Sequence, residues 1–364
     1  MSEALRLRKS TGTFDVSVLT SVDEIEPETW DALSGDRFFA SHRWYRFGEK
    51  VCPENEARYV ILSHAGQPVA RATFWVVHYE PIPVSSRFGR GLICAVLRRW
   101  PLLVCRSPLS SYSGLILPDS PLRQSALDTI IDVAHELTRQ HSASFIVFDY
   151  LCSQSRDLTW PTGYTVIDGL SPGMSLNIAW PDMEQYVRAQ RKSMRKDYRR
   201  HMNRAADLNV EINYDDLRPD EHPRAIQLVR AVEAHHNTPP NKLVEPTMRH
   251  FHEVETTWIT ARIDGALVGC GLLVGEGPIR FLTLLGLDYE VRYVYFQLVY
   301  GAIRRSIESG VTMLRGGSGA YELKGRLGFE VEEDNHLVFR ANNPVLRWVA
   351  NRLSNYLDSS TDEG

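Results

Sequence analysis

The residues whose types and spacing could do chemistry concentrate in one stretch, 186 to 208, reading YVRAQRKSMRKDYRRHMNRAADL. Arg188, Arg191, Lys192, Arg195, Lys196, Arg199, Arg200 and Arg204 have one acid among them, Asp197. The stretch holds no Gly or Pro, and at 100° per residue Val187, Met194, Tyr198, Met202 and Ala205 share one narrow side. It is expected to form one continuous helix, ~30 Å long, docked through that seam with every cation but Arg191 turned away from it. Like charges at helical spacing repel, so such a face is either neutralised by acids elsewhere in the fold or binds an anion. Phosphate suits it, because Arg forks at helical spacing clamp phosphate oxygens in pairs.

Other groups could carry a reaction. Asp149 closes the apolar run FIVFDY and would take a proton from an amine, or else cap the following turn. The stretch GGSGAY at 316 to 321 leaves a strand and enters a helix, so the amides around Gly317 and Ser318 bind an anion or make a plain turn. His235-His236 and His250-x-His252 do not make a metal site, since neighbouring histidines on a helix diverge by ~100° and no third ligand follows at a usual spacing. No Ser-His-Asp spacing or GxSxG turn points to a covalent acyl-enzyme. Any acyl transfer is then direct.

The whole chain bounds these readings. Its 364 residues exceed the usual single core, and 43% hydrophobic with 24% charged residues is ordinary globular composition. A net charge of −4 excludes a general polyanion binder, so any nucleic-acid contact depends on local concentration of positive charge. Cys52, Cys94, Cys105, Cys152 and Cys270 are scattered and odd in number, which fits reduced thiols in a cytoplasmic protein. The N-terminus has no signal-like apolar core. The apolar run from 91 to 105 is too short to span a bilayer; it reads as a buried strand and loop, with a peripheral membrane contact left open.

The elements that must position these groups repeat. The stretch 59 to 77 (YVILSHAGQPVARATFWVV) superimposes without gaps on 258 to 276 (WITARIDGALVGCGLLVGE), pairing Gly66 with Gly265 and Val69 with Val268. Each reads as a hairpin followed by an apolar strand (113 to 117; 279 to 287), an amphipathic helix (122 to 140; 294 to 308) and a further strand (144 to 150; 312 to 316). This predicts a duplicated α/β unit of roughly 150 residues. The Pro- and Gly-rich stretch 160 to 173 is the expected linker, giving domains at 14–168 and 174–350, with the basic helix opening the second and a disordered tail at 358–364.

The order of strand, helices, long hairpin, strand, helix, strand resembles the GNAT (GCN5-related N-acetyltransferase) fold. Two such units with a basic helix opening the second resemble the Fem family of peptidoglycan-bridge aminoacyltransferases. The stretches that carry the likeness are RRHMNRAADLNVEI at 199 to 212 and YELKGRLGFE at 321 to 330. Asn209 stands where the family has Gly, and no stretch has room for the family's coiled-coil arm.

The resemblance implies two tandem GNAT-like domains with mixed sheets flanked by helices. It also implies an N-acyltransferase that forms an amide on an amine, either a cell-wall precursor or a small molecule. Lys324 matches the family's Lys, with an implied role at a phosphate or a developing oxyanion, and Tyr321, three residues earlier, would protonate a leaving hydroxyl. Arg195, Lys196, Arg199 and Arg200 would grip phosphate, Arg199 being the best matched. Acetyl-CoA users of this fold seat the pyrophosphate on a glycine-rich loop before a helix. Here that loop is GLDYEVRYVYFQ at 286 to 297, with no further glycine and with Asp288 and Glu290 in it; 117 to 124 supplies prolines and Asp119. The expected donor is therefore aminoacyl-tRNA with no tightly bound cofactor. The alternatives are an acetyl-CoA-dependent enzyme with a degenerate loop and a non-catalytic polysaccharide-biosynthesis binding protein.

Overall fold

The computed structural model describes residues 7–10, 12–80, 97–168, 172–332 and 335–342. The chain divides into two units, residues 1–170 with 333–364, and residues 171–332.

The first unit contains β1 (Leu7–Ser10), β2 (Asp15–Leu19), α1 (Pro27–Ser34), α2 (His42–Val51), β3 (Glu56–His64), β4 (Gln67–Val77), β5 (Leu102–Cys105), β6 (Leu115–Ile116), α3 (Arg123–His141), β7 (Phe145–Leu151) and β8 (Thr165–Asp168). The second contains β9 (Met174–Asn177), α4 (Met183–Ala189), α5 (Lys192–Asp207), β10 (Glu211–Asn213), α6 (His222–His235), α7 (Val244–His250), β11 (Thr256–Ile263), β12 (Ala266–Val274), β13 (Ile279–Leu287), α8 (Val294–Glu308), β14 (Met313–Gly317), α9 (Tyr321–Arg326) and β15 (Glu330–Val331). A last strand, β16 (His336–Ala341), returns to the first sheet.

Each sheet is mixed. The first runs β1-β2-β3-β4-β5-β7-β16-β8, with β6 paired to β4, and the second runs β10-β11-β12-β13-β14-β9-β15. Among the described pairings each sheet has one parallel pair, β5 with β7 and β13 with β14, and a helix (α3 or α8) connects its members, as a parallel crossover requires. The first core packs α3 on β4 through Ala126, Ile130 and Ala134 against Ala70, Ala72 and Phe74. The second packs α8 on β11 and β12 through Leu298, Ala302 and Ile303.

The repeated hairpin repeats in detail. Ala65-Gly66 (φ 50° and 78°) and Asp264-Gly265 (φ 48° and 79°) make the same two-residue left-handed turn, the geometry that follows strand twist and that glycine relieves of strain. The register then slips at the same place in both. Leu62 faces Ala70 but Ser63 faces Pro68, leaving Val69 as the extra residue; Ala261 faces Gly269 but Arg262 faces Leu267, leaving Val268.

Several expectations are corrected. The basic stretch is two helices, because Gln190 and Arg191 are extended (ψ 162° and 151°). Tertiary anchoring overrides propensity here: α4 is held by buried Tyr186, whose hydroxyl donates to the Leu327 carbonyl at 2.6 Å, while α5 is aligned on α8 by His201. The first unit's central strand is 102–105 rather than 113–117, of which only Leu115–Ile116 pairs. Much of the expected linker is built into the first unit, with Trp160 packed on Phe148 at 4.9 Å and 165–168 forming β8. Residues 336–341 lie in the first sheet, not with 174–332. The tail 358–364 and most of the run 91–105 lie outside the described residues.

Candidate functional site

The gap in the second sheet arises where its parallel pair parts. Only Ile279–Phe281 of β13 pair with Met313–Arg315 of β14, and from Leu282 on β13 is paired with β12 alone. Beyond Phe281 the strand bulges. Cys270 pairs Gly286 and Leu272 pairs Thr283, so Leu284 and Leu285 oppose the single Gly271, and Leu284 takes φ 47°. A splay at the carboxyl end of parallel strands is the usual seat of ligands in open α/β sheets.

The loop after β14 borders this gap, since a Cβ on Gly317 would meet the Phe281 ring at 3.3 Å. Gly317, Gly319 and Ala320 all have positive φ. This conformation turns the carbonyls inward onto Lys324, whose ammonium donates to Gly316 and Gly317 at 2.8 and 2.9 Å, and to Ser318 and Gly319 at 3.3 and 2.8 Å. Burial lowers the Lys324 pKa to about 8, against a smaller opposite pull from Glu332. Lys324 is thus a buried clamp, its ammonium spent on backbone carbonyls. With the carbonyls turned in, the amides of Ser318 and Gly319 have no acceptor among the described residues. Tyr321 is exposed, and its hydroxyl donates to the Pro172 carbonyl at 2.8 Å.

The basic helix α5 docks as its seam predicts. Met194 and Ala205 are buried and Tyr198 and Met202 pack on the core. His201 is buried with them, its ring 3.9 Å from that of Phe296 and its Nδ1 3.3 Å from the Tyr300 hydroxyl, while Gln297 donates to its carbonyl at 3.0 Å. Desolvation lowers its pKa, followed by the nearby Arg200 charge. Inside a basic run nothing but spacing marks it, since it lies seven residues after Met194 and so on the same face.

The cations divide into three kinds. Arg188, Arg200 and Arg204 pair with Glu184, Asp197 and Asp207 on their own helices, contacts that at such exposure contribute about 0.5 kcal/mol or less each. Arg195 is half-buried and donates to the carbonyls of Arg188 and Gln190, closing the end of α4. Arg191, Lys192, Lys196 and Arg199 are exposed and meet no carboxylate among the described residues. A cleft of about 700 Å³ opens at the start of α5, with Trp180, Met194 and Phe329 as apolar lining and Arg191, Asp197, Arg326 and Glu330 as charges.

The turn between β13 and α8, residues 288 to 293, is exposed or half-buried and has no glycine. Asp288 accepts from Arg224 at 2.6 Å and from the Glu290 amide at 3.1 Å. Val294, at the first position of α8, is buried so tightly that a Cβ on Gly269 would stand 2.3 Å from it.

Asp149 belongs to the first unit, at the equivalent place where β7 outruns β5. Its carboxylate accepts from the Tyr150 amide at 2.9 Å and lies 3.8 Å from Arg106. Burial raises its pKa and the Arg106 charge opposes that. Arg106 itself is gripped at both nitrogens by Glu80, at 2.8 Å each, a partner no sequence pattern announced. The structure therefore brings Lys324, Tyr321, Gly317, Ser318 and the basic helix together in one unit and places Asp149 in the other. The histidine pairs are surface groups: His235 stacks on Tyr289, and His250 Nδ1 lies 3.0 Å from Glu253.

No protein-family model matches the sequence and no curated protein matches it. Solved structures do. The crystal structure of FemX superimposes with a TM-score of 0.63 at 10% identity, covering 89% of this chain and 98% of that one. The C-terminal (DUF2156) domain of a proposed lysylphosphatidylglycerol synthetase from Agrobacterium fabrum gives 0.55 at 13% identity, covering 91% and 95%. A tandem GNAT protein from the clavulanic acid biosynthesis pathway gives 0.53 at 12% identity, covering 90% and 99%. These likenesses show the class of fold: two GNAT-like units in tandem. More particularly, it is the doubled arrangement that FemX has, over nearly the full length of both chains.

Proposed function

We propose that the protein is an aminoacyltransferase that carries an aminoacyl group from tRNA to an amine, on a cell-wall precursor or another small molecule, in the cytoplasm. The neutral amine nitrogen attacks the ester carbonyl carbon and the C–N bond forms. The oxyanion collapses, the C–O bond to the ribose breaks, and the amine's proton ends on the leaving hydroxyl. The unacceptored amides of Ser318 and Gly319 are the groups suited to the oxyanion or a phosphate. Lys324 acts through them as a positioning residue, and Tyr321 serves as proton donor once it leaves Pro172.

The observation that carries this reading is the set of three uncompensated cations on the exposed face of α5, Lys192, Lys196 and Arg199, with exposed Arg191 immediately before the helix. An unpaired row of this kind is destabilising by itself and suits a phosphate backbone. The turn before α8 supports the same reading, because it carries Asp288 and Glu290 and no glycine where a CoA diphosphate would need bare backbone. A second reading, acyl transfer from acetyl-CoA, draws on the likeness to the tandem GNAT protein.

The test is incubation with a pool of radiolabelled charged tRNAs and candidate amines. RNA-dependent amide formation is expected, with loss of at least tenfold in the double variant Lys196→Glu, Arg199→Glu. Transfer that needs acetyl-CoA and is indifferent to RNA would replace this reading by the second.

A further inference from the structure

The second sheet ends in an unfinished edge. Its last strand, β15, pairs with β9 over two residues only, Glu330 with Ser175 and Val331 with Met174. Continued in that register, Gly328 would face Asn177. Instead the amides of Gly328 and Phe329 are still closing α9, donating to the Gly325 and Lys324 carbonyls at 3.2 and 3.1 Å. The direction of the backbone left over is fixed by its neighbours. Ile178 donates to the Thr312 carbonyl at 2.8 Å, on the β14 side, and Gly173 accepts from the Glu332 amide at 2.9 Å, on the β15 side. Antiparallel strands alternate their hydrogen-bonding sides, so Asn177, and Ala179 beyond it, turn N–H and C=O away from β14. Both residues are exposed, and neither backbone has a partner on that side among the described residues.

This free edge opens into the cleft of about 700 Å³ at the start of α5, which Asn177 itself lines. Buried Met194 and Phe329 and half-buried Trp180 give the cleft an apolar wall. Of its charges, Asp197 is matched by Arg200 and Arg326 by Glu322. Arg191 and Glu330 are exposed and have no ion-pair partner among the described residues, which leaves one charge of each sign. That balance does not suit a chain of phosphates. A strand edge offering donor and acceptor together is matched by another strand, whose backbone supplies the hydrogen bonds while alternate side chains enter the pocket beside it. We infer that the cleft is a docking site for an extended polypeptide segment of a partner protein, which adds a short strand to β9 where β15 stops. Its bulky apolar residue lies against Trp180, Met194 and Phe329, and an acid and a base flanking that residue meet Arg191 and Glu330. The site stands on the edge and the cleft alone and does not depend on the acyl donor.

The test pans a random heptapeptide library displayed on phage against the immobilised full chain, and measures the enriched sequences as labelled synthetic peptides by fluorescence anisotropy. Peptides with a central bulky apolar residue are expected, and they should slow amide exchange in the segment 174–180. Asn177→Ala removes only a side chain and should bind as the wild type does. Asn177→Pro removes the edge N–H, which no bond of the fold uses, and should weaken binding about tenfold while circular dichroism and the urea midpoint stay those of the Ala variant. No enrichment, or enriched peptides that bind Asn177→Pro as tightly as Asn177→Ala, overturns the inference. Dimerisation of the wild type that Asn177→Pro abolishes, without peptide binding, would give the edge to a second copy of this chain and overturn the partner segment.

Discussion

At the scale of single residues, the case of Lys324 shows how burial reverses a role. In the sequence it is a lysine on a short polar helix; in the fold its ammonium is the hub on which four consecutive carbonyls converge. Nothing in GGSGAYELK shows that the carbonyls turn inward, because that depends on Gly317, Gly319 and Ala320 all adopting positive φ. Replacing Lys324 by Met keeps the buried stem and removes the hub. The carbonyls lose a charged partner, at a cost of about 2–4 kcal/mol, and the loop that borders the gap loses its shape. Chemical denaturation should show that loss, and transfer activity should fall by more than stability accounts for at temperatures where the variant is folded. A variant as stable as the wild type would mean that the loop holds itself.

At the scale of elements, the legible parts were those with a period. The apolar seam of α5 and the two hairpins with their turn residues came through, whereas the shared slip at Val69 and Val268, two positions that align in sequence, is visible only in the pairing. The break at Gln190-Arg191 did not, since it is set by where Tyr186 and His201 are anchored and carries no Gly or Pro. Another element is fixed by charge. Glu221, just before α6, has its carboxylate bonded by both Arg262 nitrogens from β11, by the Arg218 guanidinium and by the Arg218 amide. Burial alone would raise its pKa, but these bonds outweigh it and hold the group at about 2. A folded pKa below the unfolded one means that the stabilisation is fully present above about pH 4.5 and is lost as pH falls toward 2. Glu221→Gln should therefore destabilise by on the order of 2 kcal/mol at pH 7, with the difference from wild type closing between pH 4.5 and 2 in urea titrations. A gap that persists unchanged at pH 2 would assign the effect to packing and not to charge.

At the scale of the whole molecule, the two sheets are completed in a way the chain order hides. In the second sheet β9, which comes before every other strand of that unit, lies between β14 and β15 and is antiparallel to both. In the first, β16 from the far end of the described chain lies between β7 and β8, again antiparallel to both. The interior strand next to the parallel pair is in each case drawn from beyond the run that supplies its neighbours. Strands of four to six residues such as MSLN and HLVFRA carry no mark of their distant partners, so the break at 170/171 falls within the Pro- and Gly-rich stretch while the return of 336–341 to the first sheet goes unannounced. The consequence is asymmetric. The segment 172–332 contains every described strand of its own sheet and should fold alone, with a cooperative urea transition. The segment 1–170 lacks β16, which leaves β7 and β8 without the strand that joins them and exposes two edges where the sheet should be continuous. It should stay aggregation-prone until a 333–364 segment is supplied in trans, when circular dichroism should report gain of strand signal. Independent, cooperative folding of 1–170 without that segment would show that β16 covers the first sheet and does not complete it.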